Sequence, residues 1–168
     1  MRRLYAIALV GCSFEPSAAI DASATPGDGS PVASDAPTIC PARYTDKFGG
    51  HSYFGTGVMD WAAGKAECEQ DIGTLMKIES PEENAELHQR LDDMTVPRVW
   101  IGLSDLNDDG IYEWVDGTVP TYVNWDTVPT AANSSCVYLG GSFLGEGGRW
   151  YTNDCASNRP AVCECDGP

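Results

Sequence analysis

An α+β domain stapled by disulfides is the fold class this sequence predicts, on three observations. Two helical patterns come first, over residues 59–73 and 81–91, and a run of short strands follows them. Six of the seven cysteines, Cys40, Cys68, Cys136, Cys155, Cys163 and Cys165, fall in the C-terminal three quarters of the chain. Gly, Pro, Ser and Asn punctuate the strand-like runs, as turns between short strands require. A chain of 168 residues accommodates one such domain with additional segments.

The elements follow from local chemistry. In the first helix Trp61, Lys65, Cys68 and Ile72 fall at helical spacing, Asp60 caps the start and Gly73 ends it. Gly64 inside that helix costs about 1 kcal/mol against Ala. Leu75–Ile78 reads as a short strand. Ser80, Pro81 and Glu83 form a capping box that opens the second helix, expected to reach Leu91. His88 lies on it among polar neighbours and reads as solvated. Val99–Leu103 is a continuous apolar run suited to a buried strand. Ile111–Val115 alternates and ends in the turn Asp116–Gly117. Further strands are expected at 122–125, 136–139, 149–152 and 160–165.

The N-terminus has its own logic. Arg2 and Arg3 precede an apolar run, Leu4–Val10, too short to cross a bilayer as a helix. Leu9–Cys12 resembles a bacterial lipobox, which implies a signal peptide over 1–11, cleavage before Cys12 and a lipid on its thiol. An ordinary signal peptide with an incidental cysteine is the competing reading. Residues 12–39 are Ala, Ser, Pro, Thr, Gly and Asp with almost no large apolar side chains, so they cannot offset the entropy of ordering and read as an acidic tether. The expected layout is therefore signal 1–11, linker 12–39, domain 40–165 and tail 166–168. Localisation follows: an exported protein, held at the outer membrane or cell surface, otherwise secreted.

Several function classes are disfavoured. A net charge of -15 lacks the basic face that nucleic acid requires. Two histidines and no C-x-x-C pair argue against structural zinc. There is no G-x-S-x-G or H-E-x-x-H, and the adjacent Asp92–Asp93 cannot face each other across a substrate, so an enzyme is not expected.

Taken in order, Trp100–Leu103, Trp114–Gly117, Asn124–Trp125, Cys136–Leu139, Trp150, Cys155 and Val162–Glu164 resemble the C-type lectin-like domain over Cys40–Cys165. The resemblance implies two helices packed on short, mostly antiparallel sheets with a long loop region. It implies the disulfides Cys68–Cys163 and Cys136–Cys155, and leaves Cys40 to Cys165. Cys163 and Cys165 share one strand face, so swapped partners stay open. An oxidising compartment is required.

In sugar-binding members of that family, calcium sits on a loop triplet, an acid before the third cysteine and an Asn–Asp pair after the late tryptophan. Here those positions read Val128–Pro129–Thr130, Ser134–Ser135 and Tyr151–Thr152. Calcium wants several anionic oxygens, so no cofactor is expected from this set, although calcium elsewhere stays possible. Pro129 can keep a cis bond. The alternative is a calcium lectin with relocated ligands: Asp105, Asn107 and Asp109, with Gly110, match half of an EF-hand loop, and Asp154 can join them. The competing reading is an acidic, solvated turn between strands. Without calcium, binding rests on shape, aromatics and neutral polar groups, which makes Pro129, Thr130, Asn133, Phe143, Tyr151, Asn153 and Asp154 the candidate contacts. Phe143 and Leu144 sit at the tip of the glycine-rich Gly140–Tyr151 loop, either exposed for contact or folded back as core. Trp125 and Trp150 read as core anchors. The expected partner is a glycan or protein at the cell envelope, with membrane attachment only through Cys12; a structural envelope component is the third reading.

Overall fold

The structure is a computed structural model that describes residues 39–130 and 135–167. Cys12, the signal and nearly all of the linker, and Asn133, lie outside the described residues. The chain starts with a hairpin, β1 (Asp46–Phe48) and β2 (His51–Met59), turned by Gly49 and Gly50 at φ 61° and 93°. Then come α1 (Trp61–Glu69), β3 (Thr74–Leu75), α2 (Pro81–Asp93), β4 (Arg98–Asp105) and β5 (Glu113–Trp114). β6 (Ser135–Gly140), a 3-10 turn (Ser142–Leu144), β7 (Trp150–Asp154) and β8 (Arg159–Asp166) complete it. The sheet runs β1-β2-β8-β4-β6-β7, with β3 on β8 and β5 on β4. Every pairing is antiparallel except the β4–β8 contact at Trp100 and Ala161.

Both faces of the central strands are buried, and strand alternation sorts their residues. Val99, Ile101 and Leu103 of β4, with Val137 and Leu139 of β6, join one core with Leu87 and Leu91 of α2. Trp100, Cys136, Tyr138, Ala161 and Cys163 face the other way, into a second core with Trp61 and Cys68 of α1. Gly102 permits a close approach: its amide donates to the Met76 carbonyl at 2.8 Å, and a Cβ there would lie 2.7 Å from the Leu75 carbonyl oxygen.

Asp60 caps α1 by accepting from the Ala63 amide at 2.7 Å. The helix ends at Glu69, short of Gly73, because its buried face is Trp61, Gly64 and Cys68 and the chain must then turn in towards β3. Lys65 lies off that face beside Glu69, and Ile72 is exposed. Gly73 instead backs onto Tyr44, whose hydroxyl would be 2.0 Å from a Cβ. Gly64 is justified in the same way, since a Cβ would meet that of Ala161 at 2.9 Å. Of the expected strand 75–78 only Leu75 lies in a strand, although Met76 also makes backbone hydrogen bonds with Val162 and Gly102, and of 111–115 only Glu113–Trp114 does. Residues 122–125 form no strand: Tyr122 and Trp125 stand edge-on to the Trp150 ring at 5.6 and 5.7 Å, so these aromatics fill the core and make almost no ladder.

Three disulfides join Cys68 to Cys163, Cys136 to Cys155 and Cys40 to Cys165. Each contributes about 2–4 kcal/mol, largely by restricting the unfolded chain.

A polar network ties α2 to the sheet. Ser80 accepts from the Glu83 amide at 3.1 Å, but the Glu83 carboxylate does not return to Ser80. It accepts from the Glu79 amide at 2.8 Å and from the Tyr53 hydroxyl at 2.9 Å. Beside it the His51 Nδ1 lies 2.7 Å from Glu164 Oε1 and 2.6 Å from Asp166 Oδ1, while Glu164 Oε2 accepts from the Lys77 amide at 2.7 Å. Burial pushes Glu164 up to about 7, against the Lys77 bond and His51. At His51 burial favours the neutral form, yet Asp166, Glu164 and Glu83 outweigh it and the pKa rises.

Two outcomes are expected. Both raised groups bind protons more tightly folded than unfolded, so their contribution is present at acidic pH and is lost as pH rises, for Glu164 through about 7. Thermal unfolding of the full chain should therefore show a midpoint that climbs as pH falls from 8 to 5.5, with a flatter profile for Glu164→Gln; identical profiles would refute the assignment. Gly102→Ala should lower stability by about 1–3 kcal/mol in denaturant unfolding, because the obstacle is backbone and cannot rotate away.

Candidate functional site

The candidate residues lie at both ends of the β4–β6–β7 sheet: Asp105, Asn153 and Asp154 at the end where β6 begins, and Phe143 on the turn at the opposite end, between β6 and β7. Register places Ser135 opposite both Asp105 and Asp154, and pairs Cys136 with Asn153 and Tyr138 with Tyr151. Alternation puts Asn153 and Tyr151 on the face of Tyr138 and turns Asp154 to the other face. The triplet position belongs to the loop before β6. Val128 there is 72% exposed and offers no side-chain oxygen, and the bond into Pro129 is trans, unlike the cis bond considered above. Thr130, Ser135 and Thr152 supply neutral hydroxyls only, a poor donor set for calcium.

The acidic turn satisfies its own backbone. Asp105 is 2% exposed, and its two carboxylate oxygens accept from the Asp109 and Gly110 amides, each at 3.1 Å. Asp109 accepts from the Ile111 amide at 2.8 Å and from the Asn107 side chain at 2.9 Å. Asp154 likewise accepts from the Ala156 amide at 2.9 Å, while Asn153 accepts from the Asp154 amide at 2.7 Å. These bonds are those of turn-forming Asx side chains.

The glycine-rich loop is held at its base and open at its tip. Asp92 accepts from the Ser142 amide at 2.7 Å, and the His88 Nε2 lies 2.8 Å from the Ser142 hydroxyl. His88 is thus a loop contact, where its polar neighbours suggested a solvated residue. Its ring packs under Gly148, which has a φ of 74° and where a Cβ would lie 3.0 Å from the imidazole Cγ. Hydrogen bonds from Ser142 hold the Asp92 carboxyl below its ordinary range. Asn84 and Asn124 both donate to the Gly148 carbonyl, at 3.0 and 2.8 Å, and Asn84 also accepts from the Trp150 indole at 2.7 Å. Phe143 projects from this platform at 76% exposure, with Leu144 beside it at 48%.

One cluster escaped the sequence reading. Donor atoms of His51, Glu83 and Glu164 lie within 4.8 Å of one another, a set that can take a cation in exchange for its present hydrogen bonds. The only sequence signal was the alternation of His51 with Tyr53 and of Glu164 with Asp166 on what prove to be paired strands.

Comparison with known proteins agrees with this architecture. The mouse low affinity immunoglobulin epsilon Fc receptor is 33% identical over 132 residues, 75% of this chain and 37% of that protein, so the chain spans little more than a third of that relative. A cow CD23 carbohydrate-recognition domain, solved in the presence of a GlcNAc2Man3 oligosaccharide, superposes with a TM-score of 0.64 at 30% identity, covering 76% of this chain and 96% of that one. A calcium-independent type II antifreeze protein gives a TM-score of 0.65 at 25% identity, covering 77% and 96%. No helix among the described residues is long and apolar enough to cross a membrane. The family described as Lectin C-type domain matches residues 57–165, the stretch that holds α1, α2, most of the sheet and both inner disulfides, and the chain belongs to the C-type lectin domain family.

Proposed function

We propose that this protein is a surface-tethered binding module that recognises a glycan or protein ligand without the family's sugar-coordinating calcium. The observation that carries this reading is the donor set at the triplet position, where an exposed valine and neutral hydroxyls stand in place of carboxylates and amides. The likeness to a calcium-independent type II antifreeze protein supports it. The candidate contacts are then Pro129, Thr130, Asn133, Tyr151, Asn153 and Asp154, with Phe143 a separate apolar contact on the turn at the other end of the β6–β7 hairpin from Asp154. An exposed aromatic on a locked base loses little conformational entropy on binding. No catalytic role is assigned. The lipobox-like Leu9–Cys12 and the acidic linker support export and a lipid anchor on Cys12, which would display the domain at the cell envelope.

The test is glycan-array binding of the full, disulfide-intact chain in calcium and in EDTA. Binding should persist in EDTA. Binding abolished by EDTA and weakened by Asp105→Asn or Asp109→Asn would replace this reading with a calcium lectin using Asp105, Asn107, Asp109 and Asp154. A micromolar calcium site would also stabilise the fold by about 4 kcal/mol at millimolar calcium, visible as a raised unfolding midpoint. Phe143→Ala should weaken ligand binding at least tenfold, about 1.4 kcal/mol, while leaving the midpoint unchanged.

A further inference from the structure

β2 is 9 residues long, but β1 covers only its first three, His51 to Tyr53. Gly49 and Gly50, both at positive φ, close a two-residue hairpin, so the flanking Phe48 and His51 exchange both ladder bonds. Alternation then turns the N–H and C=O of Tyr53 towards β1, and those of Gly55 the same way. β1 stops opposite Tyr53. Among the described residues, therefore, the outer edge of β2 from Phe54 to Met59 has no strand beside it. Gly55, Gly57 and Val58 are exposed along it.

An apolar pocket opens at the foot of that edge. Gly55 lines it with Met76 and Val162, and Leu87, Leu91 and Met94 form the α2 side. Its volume is about 70 Å³, roughly half of the ~150 Å³ that takes a benzene ring, so it suits an aliphatic side chain and not an aromatic one. Asp46 and Arg90, paired at 3.4 Å, stand at its rim. The pocket is open because residue 55 is glycine. A Cβ there would point to the α2 face, as that of Tyr53 does, and would meet nothing within 4 Å. Gly57 is equally free of contacts, and neither glycine has a positive φ. The bulge between Gly55 and Val58 does not call for them either, since the Thr56 hydroxyl fills it by accepting from the Ala161 amide at 2.9 Å. Glycine weakens a strand, and where the fold itself gives no reason for it, it marks the close approach of another backbone.

We propose that the outer edge of β2 is a peptide-binding site, which takes an extended segment of a partner protein as an added antiparallel strand and seats one aliphatic side chain of that segment in the Gly55 pocket. A residue paired opposite Gly55 shares its face, so its side chain drops towards Leu91 and Met94 while its backbone bonds to Gly55. A second copy of the chain is a poorer occupant. The open edge is about 20 Å long, and edge-to-edge pairing over that length falls well short of the roughly 1,600 Å² of a standard stable interface. Two copies at a net charge of -15 each also repel, whereas a segment with basic flanks is attracted. The site stands on β2 and α2, apart from the candidate contacts on β7 and the loops, and needs no metal.

The experiment is a titration of the full, oxidised chain, followed in 1H–15N spectra at the Gly55 amide and by the hydrogen exchange of that amide. The probe is a capped heptapeptide with a central leucine, valine and threonine on each side and a lysine at each end. Beside it run versions with serine or tryptophan at the centre, and one with the central leucine N-methylated. The leucine peptide should shift the Gly55 amide saturably and slow its exchange. Serine, tryptophan or N-methylation at the centre should each weaken binding at least tenfold. Gly55→Val should abolish binding while the unfolding midpoint stays level or rises, because the new side chain enters open space. Binding kept in Gly55→Val, equal binding of the serine peptide, or no saturable shift would each overturn the proposal; equal binding of the tryptophan peptide would overturn its aliphatic assignment. Gly55 shifts that depend on protein concentration without peptide would give the edge to a second copy. A Gly55 amide already slow to exchange in the dilute, peptide-free chain would give it to a segment of the chain itself. Either result overturns the peptide assignment. If Gly55→Val fails to fold, the peptide series decides.

Discussion

Glu164 lies between two cystines on one strand. Cys163 and Cys165 point to one side of β8 and reach α1 and the N-terminal segment; Glu164 points to the other and meets His51, near Glu83 and the start of α2. The period of two along β8 thus joins both helices to one strand, covalently on one side and by charge on the other. Because β2, β3 and β4 all pair with β8, the position of each layer is referred to this strand. A buried carboxylate of this kind adds little net stability, but it is costly to leave unmatched, so it selects the packing in which its partners arrive together.

The glycine-rich loop inherits that order through α2. The helix that begins at the Glu83 network also carries Asn84, His88 and Asp92, which hold Trp150, Gly148 and Ser142. One rigid element therefore connects the sheet edge to the base of the Phe143 loop. At the other end of the sheet the turns are ordered by backbone amides that donate to Asp105, Asp109 and Asp154.

Legibility in sequence tracked the range of the interaction. Strand β4 was readable because burial on both faces leaves an unbroken apolar run, and α2 because Ser80 and Pro81 act within one turn. The β1–β2 hairpin was not, since Gly55 and Gly57 interrupt the alternation and the register shifts between Gly55 and Val58. Residues 122–125 looked like a strand because aromatic content marks both ladders and cores, and only the position of Trp150 separates the two. At the candidate site the glycine-rich loop was visible, while its latch to His88 and Asp92 lies 50 or more residues away in sequence. The His51–Glu83–Glu164 cluster is a property of neighbours in space, which spacing along the chain does not carry.

The Cys40–Cys165 bond has a mechanical consequence. It joins residues 125 positions apart, one at the entry to the domain and one on its last strand. Tension applied between the two ends of the chain passes through that single covalent link and bypasses every residue from 41 to 164. The hairpin hydrogen bonds of β1 and β2 carry none of it. A pull exerted through a ligand on the Phe143 loop takes a different route, by way of β6, β7 and the Cys136–Cys155 bridge, so the same domain is inextensible along one axis and can yield along another. Reduction of one disulfide would turn a rigid shackle into a spring.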